Sequence, residues 1–211
     1  MRRAGWAVSV LVVIVTAAPI AGGAGILPLF GPSPSNGNFA VSCPYSHRLP
    51  DDPIVFPNKP GASHSHDFFG NVSTNAYSNF ETLRAAESTC NREADRSAYW
   101  VPTLLYNGTA VTPSKFSAYY LAFGKDAKTL KPFPSGLRIV AGDSKATAPQ
   151  TGSAASWSCG FGNDGPPVKE IPTCPAGKPL RMHIAFPDCW DGKHLDWIDH
   201  KSHMTYSKNK V

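Results

Sequence analysis

Leu180-Arg181-Met182-His183-Ile184-Ala185-Phe186 sets the fold class. Leu180, Met182, Ile184 and Phe186 alternate with Arg181, His183 and Ala185, the period of two that puts one side of a strand in a core and leaves the other open. Working outward, Tyr99 to Leu105 ends at Asn107-Gly108, Lys115 to Phe123 ends at Gly124, and Leu137 to Ala141 ends at Gly142-Asp143. Each is a short apolar or aromatic run closed by turn residues, the pattern of a strand. Trp157 to Gly165 reads as a strand end and turn, since its Gly and Asn spacing matches neither a phosphate loop nor a dinucleotide fingerprint. One stretch has helical spacing. Tyr77, Phe80 and Leu83, followed by Glu87 and Cys90 and capped by Thr74 or Asn75, predict a helix that buries the three apolar residues. Prolines at 44, 50, 53, 57 and 60 predict an ordered loop from Cys43 to Pro60, neither helix nor central strand. Pro and Gly together number 38 of 211 residues. The expectation is a mainly β fold: sandwich-like antiparallel sheets with one short helix and long ordered loops, stabilised by disulfides.

The N-terminus has the layout of an export leader. Arg2 and Arg3 give a positive start, Trp6 to Ile20 an apolar run, and Ala21 to Ala24 the small residues of a cleavage site. Residues 1–24 are therefore expected to be a signal peptide, 25–38 a Gly/Pro/Ser linker, and 39–211 a single domain. The alternative is an uncleaved anchor, which would be the protein's one link to a membrane; the apolar run falls short of the roughly 20 residues that span a bilayer. The formal charge is +5, and +3 without Arg2 and Arg3 (18 basic against 15 acidic residues). No basic run or basic helix is present, which argues against nucleic acid as a partner.

Cys43, Cys90, Cys159, Cys174 and Cys189 lie beyond the leader. An exported chain would use them for disulfides, and none has the Cys-x-x-Cys spacing of a zinc or redox motif. Five cannot all pair internally. The odd one is a free thiol, a link to another chain, or half of a bridge whose partner lies beyond this sequence.

The residues that could do chemistry form two groups. His64 and His66, in His64-Ser65-His66-Asp67-Phe68-Phe69-Gly70-Asn71, would share one side of an extended segment. His183, His194, His200 and His203 crowd together with Asp188, Asp191, Asp196 and Asp199. If the groups meet in space, they make a polar pocket. Imidazole and carboxylate are ligands for a divalent metal such as zinc or copper, and also acid-base groups near neutral pH. Candidate catalytic residues are His66, His183, Asp188, Asp191 and His200, and candidate metal ligands are His64, His66 and His203. Trp100, Trp190 and Asp67 are candidates for substrate contact, since aromatic rings stack on sugars and paired carboxylates serve glycoside hydrolysis. The bland readings stand beside these: a His-x-His pair often satisfies loop carbonyls, and Asp188 and Gly192 also suit turns. No Gly-x-Ser-x-Gly elbow occurs. Asn71-Val72-Ser73 and Asn107-Gly108-Thr109 match the glycosylation acceptor pattern.

Taken together, several motifs resemble the DUF1996 family of secreted bacterial and fungal proteins. They are Phe39 with Cys43, His64 to Asn71, Ala98-Tyr99-Trp100-Val101-Pro102-Thr103-Leu104, Phe186-Pro187-Asp188-Cys189-Trp190-Asp191-Gly192 and Asp199-His200-Lys201-Ser202-His203-Met204. The resemblance implies location and residues rather than a mechanism. Its members continue past the Asp-His-Lys-Ser-His segment into a further Cys-Pro and His-Pro region and a final strand, so the domain is expected to be truncated after Val211. That implies Cys189 without its partner, and Cys159 with Cys174 and Cys43 with Cys90 as bridges. Some members are joined to carbohydrate-associated modules, which implies a substrate class. The expected function is action on extracellular or cell-wall polysaccharide by a hydrolase or lyase with a His/Asp-lined pocket. The alternative is a non-catalytic carbohydrate- or metal-binding module.

Overall fold

The computed structural model describes residues 10–17, 38–122, 128, 132–143, 146–148, 155–160 and 165–206. The expected linker lies almost wholly outside them. In chain order the elements are β1 (Val10–Ala17), β2 (Phe39–Leu49), β3 (His66–Gly70), α1 (Phe80–Ala85), β4 (Ala98–Pro102), β5 (Leu105–Tyr106), β6 (Thr109–Ala110), β7 (Pro113–Leu121), β8 (Ala155–Cys159), β9 (Leu180–Ala185), β10 (Cys189–Trp190) and β11 (Met204–Thr205). Seven strands form one antiparallel sheet in the order β4-β3-β2-β7-β1-β9-β8, and β5-β6 and β10-β11 are two small ribbons. The fold is mainly β, as the alternation at Leu180 to Phe186 predicts.

One side of the sheet is the core. Val41, Cys43, Phe69, Cys90, Tyr99, Val101, Phe116 and Ala118 are buried together, with Tyr45, Tyr120, Met182, Ile184 and Phe186 packed against them. The Phe116 ring lies 4.5 Å from that of Tyr99 and 5.5 Å from that of Phe69. The sheet curls towards this side, giving a sandwich-like shape: Asp67, Val101 and Thr103 from one end and Trp157, Leu180 and Met182 from the other line a shared cavity of about 260 Å³. Cys43 bonds Cys90 within the core and Cys159 bonds Cys174 outside it.

Three expectations give way. Cys43 to Leu49 is not loop but part of the central strand β2, Pro44 included. The missing donor costs little because β2 changes neighbours there: its ladder with β7 ends at Pro44↔Lys115 and its ladder with β3 starts at Tyr45↔Phe69. The helix is shorter than its spacing suggests and buries none of its residues. Asn79, not Thr74 or Asn75, caps it, accepting from the amides of Glu81 and Thr82 while the Thr82 hydroxyl accepts from the Asn79 amide. Asn75 is occupied one turn earlier, accepting from the Tyr77 amide. Tyr77 stays 59% exposed and Phe80 41%. Leu137 to Ala141 is not a strand. The Arg138 backbone joins the C-terminal region, its amide donating to Leu195 O and its carbonyl accepting from His203.

Val10 to Ala17, inside the apolar run assigned to the leader, is β1. It pairs with β7 from Val10↔Leu121 to Ala17↔Pro113 and with β9 from Val12↔Ala185 to Thr16↔Arg181.

Candidate functional site

β3 begins at His66, and the two-residue period carries His64 to the same side, their ring centroids 4.4 Å apart. That side is opposite the core, because Asp67 and Phe69 take the inner positions. Phe68 lies edge-on to His66 at 6.2 Å, stacks on His47 at 4.9 Å and leans on Trp100 at 6.0 Å. His64 is exposed and His66 is 4% exposed. Nδ1 of His66 lies 2.8 Å from the Asp51 carbonyl oxygen. A carbonyl only accepts, so Nδ1 carries the proton in the neutral ring and Nε2 holds a lone pair. Burial lowers the His66 pKa and the nearby His64 lowers it further, against the Asp51 hydrogen bond and the charges of Asp52 and Asp51, which raise it. His66 is thus a neutral base at neutral pH.

Asp51 and Asp52, which the sequence reading passes over, build the wall beside it. Asp51 accepts from the amides of Gly61 and Ala76, and Asp52 from those of Ile54 and Val55. His47, also passed over, donates from Nε2 to Thr74 O at 2.7 Å and accepts from the Ser46 hydroxyl. The only sequence signal for the pair was Asp51-Asp52 between two prolines, and their relation to His66 arises from the folded loop.

Asp67, a candidate for substrate contact, is a structural anion. It is 1% exposed and 2.7 Å from the Arg48 guanidinium, which also donates to Val111 O. Burial raises its pKa while Arg48 and Thr103 oppose the rise. The cavity that Asp67 lines has mainly apolar walls and lies on the opposite side of β3 from the histidines.

Of the second group of candidates, the strand register places His183. His183 of β9 stands opposite Ile14, which stands opposite Ser117 of β7 and through it Ser42 of β2. His66 stands opposite Leu49, seven residues farther along β2. Over the sheet surface, that is roughly 23 Å along the strands and about 19 Å across four strand spacings. Both side chains take the outer positions of a sheet that curls inward, so the curl spreads them apart. His183 instead pairs its Nε2 with the Ser158 hydroxyl at 2.7 Å, and burial, with the Arg181 charge, lowers its pKa. The remaining acids and histidines gather past the far end of β9. Asp191 accepts from the amides of Lys193 and His194 and from the His194 ring. Desolvation pushes its pKa up, and these hydrogen bonds together with the His194 charge outweigh it to leave it at about 2. His200 bonds Asp196 at 2.9 Å, and the indole of Trp190 donates to His194 O. Asp188 is 3% exposed. His203 is 1% exposed and donates from Nε2 to Arg138 O at 2.6 Å, leaving a buried Nδ1 without a partner.

His183 does not share a pocket with His64 and His66. The strand register holds His183 away from His64 and His66, whereas His194, His200 and His203 lie outside the seven-stranded sheet, around β10 and β11, in a region whose Leu195 meets Gly136 beside Phe80. His64, His66 and His203 do not bring three ligand atoms within 4.8 Å of one another. Among the described residues, one group of three possible ligand atoms lies close together, Cys43, Cys90 and Asp95, and its two sulfurs are already bonded to each other.

A family model, Domain of unknown function (DUF1996), matches residues 52–211. The chain belongs to this family. The DUF1996 match begins at Asp52 and takes in His64 and His66 together with the C-terminal region. No curated protein and no solved structure matches the chain. The DUF1996 chain has two disulfides, and no helix among its described residues is long and apolar enough to cross a membrane.

Proposed function

We propose that the protein is exported and acts on an acidic extracellular or cell-wall polysaccharide by elimination, with His66 as the base. The leader pattern and the disulfides support export. The fixed tautomer of His66 carries the reading: Nδ1–H is spent on Asp51, and Nε2 has no partner among the described residues and is not sealed from solvent. Elimination asks for such a base. Nε2 takes the proton from the carbon beside a uronate carboxyl group, that electron pair forms a C=C bond, and the C–O bond to the leaving sugar breaks. Hydrolysis asks for a free carboxyl pair, and Asp51, Asp52, Asp67 and Asp191 are committed to amides, Arg48 and His194. The positive net charge suits an anionic polymer. Trp100 and the exposed Tyr106, in the hairpin that follows Pro102, are the aromatic groups on the β4 side of the base. The test is a panel of acidic and neutral glycans, read by ultraviolet absorbance of unsaturated ends. Turnover of an acidic glycan that His66→Ala abolishes, with binding retained, is the expected result. Neutral glycans cut without an unsaturated end would refute elimination.

A second reading, a non-catalytic binding module, is favoured by the C-terminal region. Trp197 is 43% exposed with the His194 ring 4.3 Å away, and Ile198 beside it is 92% exposed. An open indole is a stacking surface for a sugar. Glycan binding without turnover across the panel, lost in Trp197→Ala, would establish it. A bound metal would rest first on His64 and His66, whose rings lie 4.4 Å apart. Protein purified without added metal, then exposed to zinc or copper, tests this by stoichiometry.

A further inference from the structure

Ser158 and His183 meet on the last two strands of the sheet, β8 and β9. The register sets Arg181 directly opposite Ser158 and His183 opposite Ser156, so all four take the outer side, away from Met182 and Ile184 on the core side. Ser158 reaches diagonally to His183, its Oγ 2.7 Å from Nε2. The His183 Nδ1 has no partner among the described residues and is not sealed from solvent, so it can carry the ring proton while the hydroxyl donates to Nε2. Burial and the Arg181 charge favour this neutral ring. Arg181 is loosely held: Nη1 lies 3.4 Å from Gly160 O and Nε has no partner. The bridge from Cys159 to Cys174 fixes the residue next to Ser158, which also lines a cavity of about 240 Å³ with Trp157, Pro166, Val168 and Pro172. From this arrangement we infer that Ser158 and His183 are the nucleophile and base of a second site, one that hydrolyses short-chain carboxylic esters. The site is separate from His66 and does not rest on the elimination reading. Ser158 Oγ bonds to the acyl carbon while its proton passes to His183 Nε2; the C–O bond to the alcohol breaks, and the departing oxygen takes that proton. Water then adds to the acyl carbon, giving its proton to Nε2. The bond to Oγ breaks, Oγ recovers the proton and the carboxylic acid leaves. The Arg181 cation, on the same side as Ser158, offsets the negative charge that develops on the carbonyl oxygen. The cavity sets the acyl length: an apolar space of roughly 150 Å³ holds a benzene ring, so this one takes a few carbons and no long chain.

The test uses the full chain after oxidative folding. A fluorophosphonate probe, which loses fluoride to an activated serine, should add once per chain, and peptide mass spectrometry should place it on Ser158. This mapping needs no variant, so it stands even where a substitution harms folding. The same protein should hydrolyse p-nitrophenyl acetate and butyrate, and the palmitate ester at least tenfold more slowly. Ser158→Ala should lose the label and at least a hundredfold of the turnover, and His183→Ala should do the same, with circular dichroism confirming that each is folded. An unlabelled Ser158, or an adduct on a different serine, would overturn the inference. So would a labelled Ser158 with no turnover of the acetate or butyrate ester, and so would equal turnover in folded Ser158→Ala, which would assign the hydrolysis to imidazoles elsewhere.

Discussion

Truncating Arg48 should be costly because it strands a buried charge. Asp67 is 1% exposed, and its Oδ1 lies 2.8 Å from Nε and 2.7 Å from Nη2 of Arg48. Removing one partner of a buried pair costs about 3–5 kcal/mol; the Arg48 side chain is 25% exposed, so water screens the site and about 3 kcal/mol is expected for Arg48→Met at pH 7. For a domain of this size that lowers Tm by roughly 6–12 °C. Asp67→Asn should cost less, about 2 kcal/mol, because the freed guanidinium can turn to solvent. The double variant should fall short of the sum by more than about 1 kcal/mol. The pH dependence supplies a second check. Burial already raises the folded Asp67 pKa against the opposing Arg48 charge; in Arg48→Met it rises further above its unfolded value, so the folded variant binds more protons than the folded parent, and the deficit should shrink as pH falls from 7 to 4. Urea melts of the four proteins at pH 7, 5 and 4 measure both effects. Additive losses together with a deficit that does not change with pH would refute the argument.

Serine replacement of Cys43 and Cys90, which close 47 residues, should cost about 4 kcal/mol by loop entropy, and replacement of Cys159 and Cys174, 15 residues apart, about 3 kcal/mol, both read from denaturant midpoints. His66 and His183 have pKa values lowered by burial, so the unfolded chain binds more protons below pH 6.5; stability should drop as pH falls from 6.5 towards their folded values, and His66→Gln should flatten the thermal-melt profile. Asn71 is fully buried with its amide donating to Leu83 O and Arg96 O, whereas Asn107 is exposed in the β5-β6 turn at φ 49°. In a glycosylating host, peptide mass spectrometry of the folded product should find sugar at Asn107 and none at Asn71.

The strand at Leu180 to Ala185 and the shared side of His64 and His66 were legible because both depend on a period of two, which is local. β2 was not, because Pro44 is tolerated only by a change of neighbour that involves Lys115 and Phe69, residues far along the chain. Helix α1 was displaced because Asn75 and Asn79 both offer a carbonyl side chain, and spacing alone cannot say which turn each one closes. The neighbours of His66 were hidden for a similar reason: Asp51 reaches it through a carbonyl, which every residue has. The crowding of His183 with the acids that follow it reported closeness in the chain, whereas a pocket shared with His66 needed a register that set β9 beside β3. Gly70 shows a demand that only the folded backbone reveals. It sits at φ 75°, and a Cβ there would meet Ser97 O at 2.8 Å.

The two bridges differ in depth, and this orders their chemistry. Cys43 is sealed and Cys90 is 8% exposed, while Cys159 and Cys174 are half-buried. A small thiol reductant reaches the outer pair from solvent, but meets the inner pair only when the core opens. Graded reduction would therefore give an intermediate with the β8 bridge cut and the β2 bridge intact, a natural starting point for attaching a probe to one edge of the sheet.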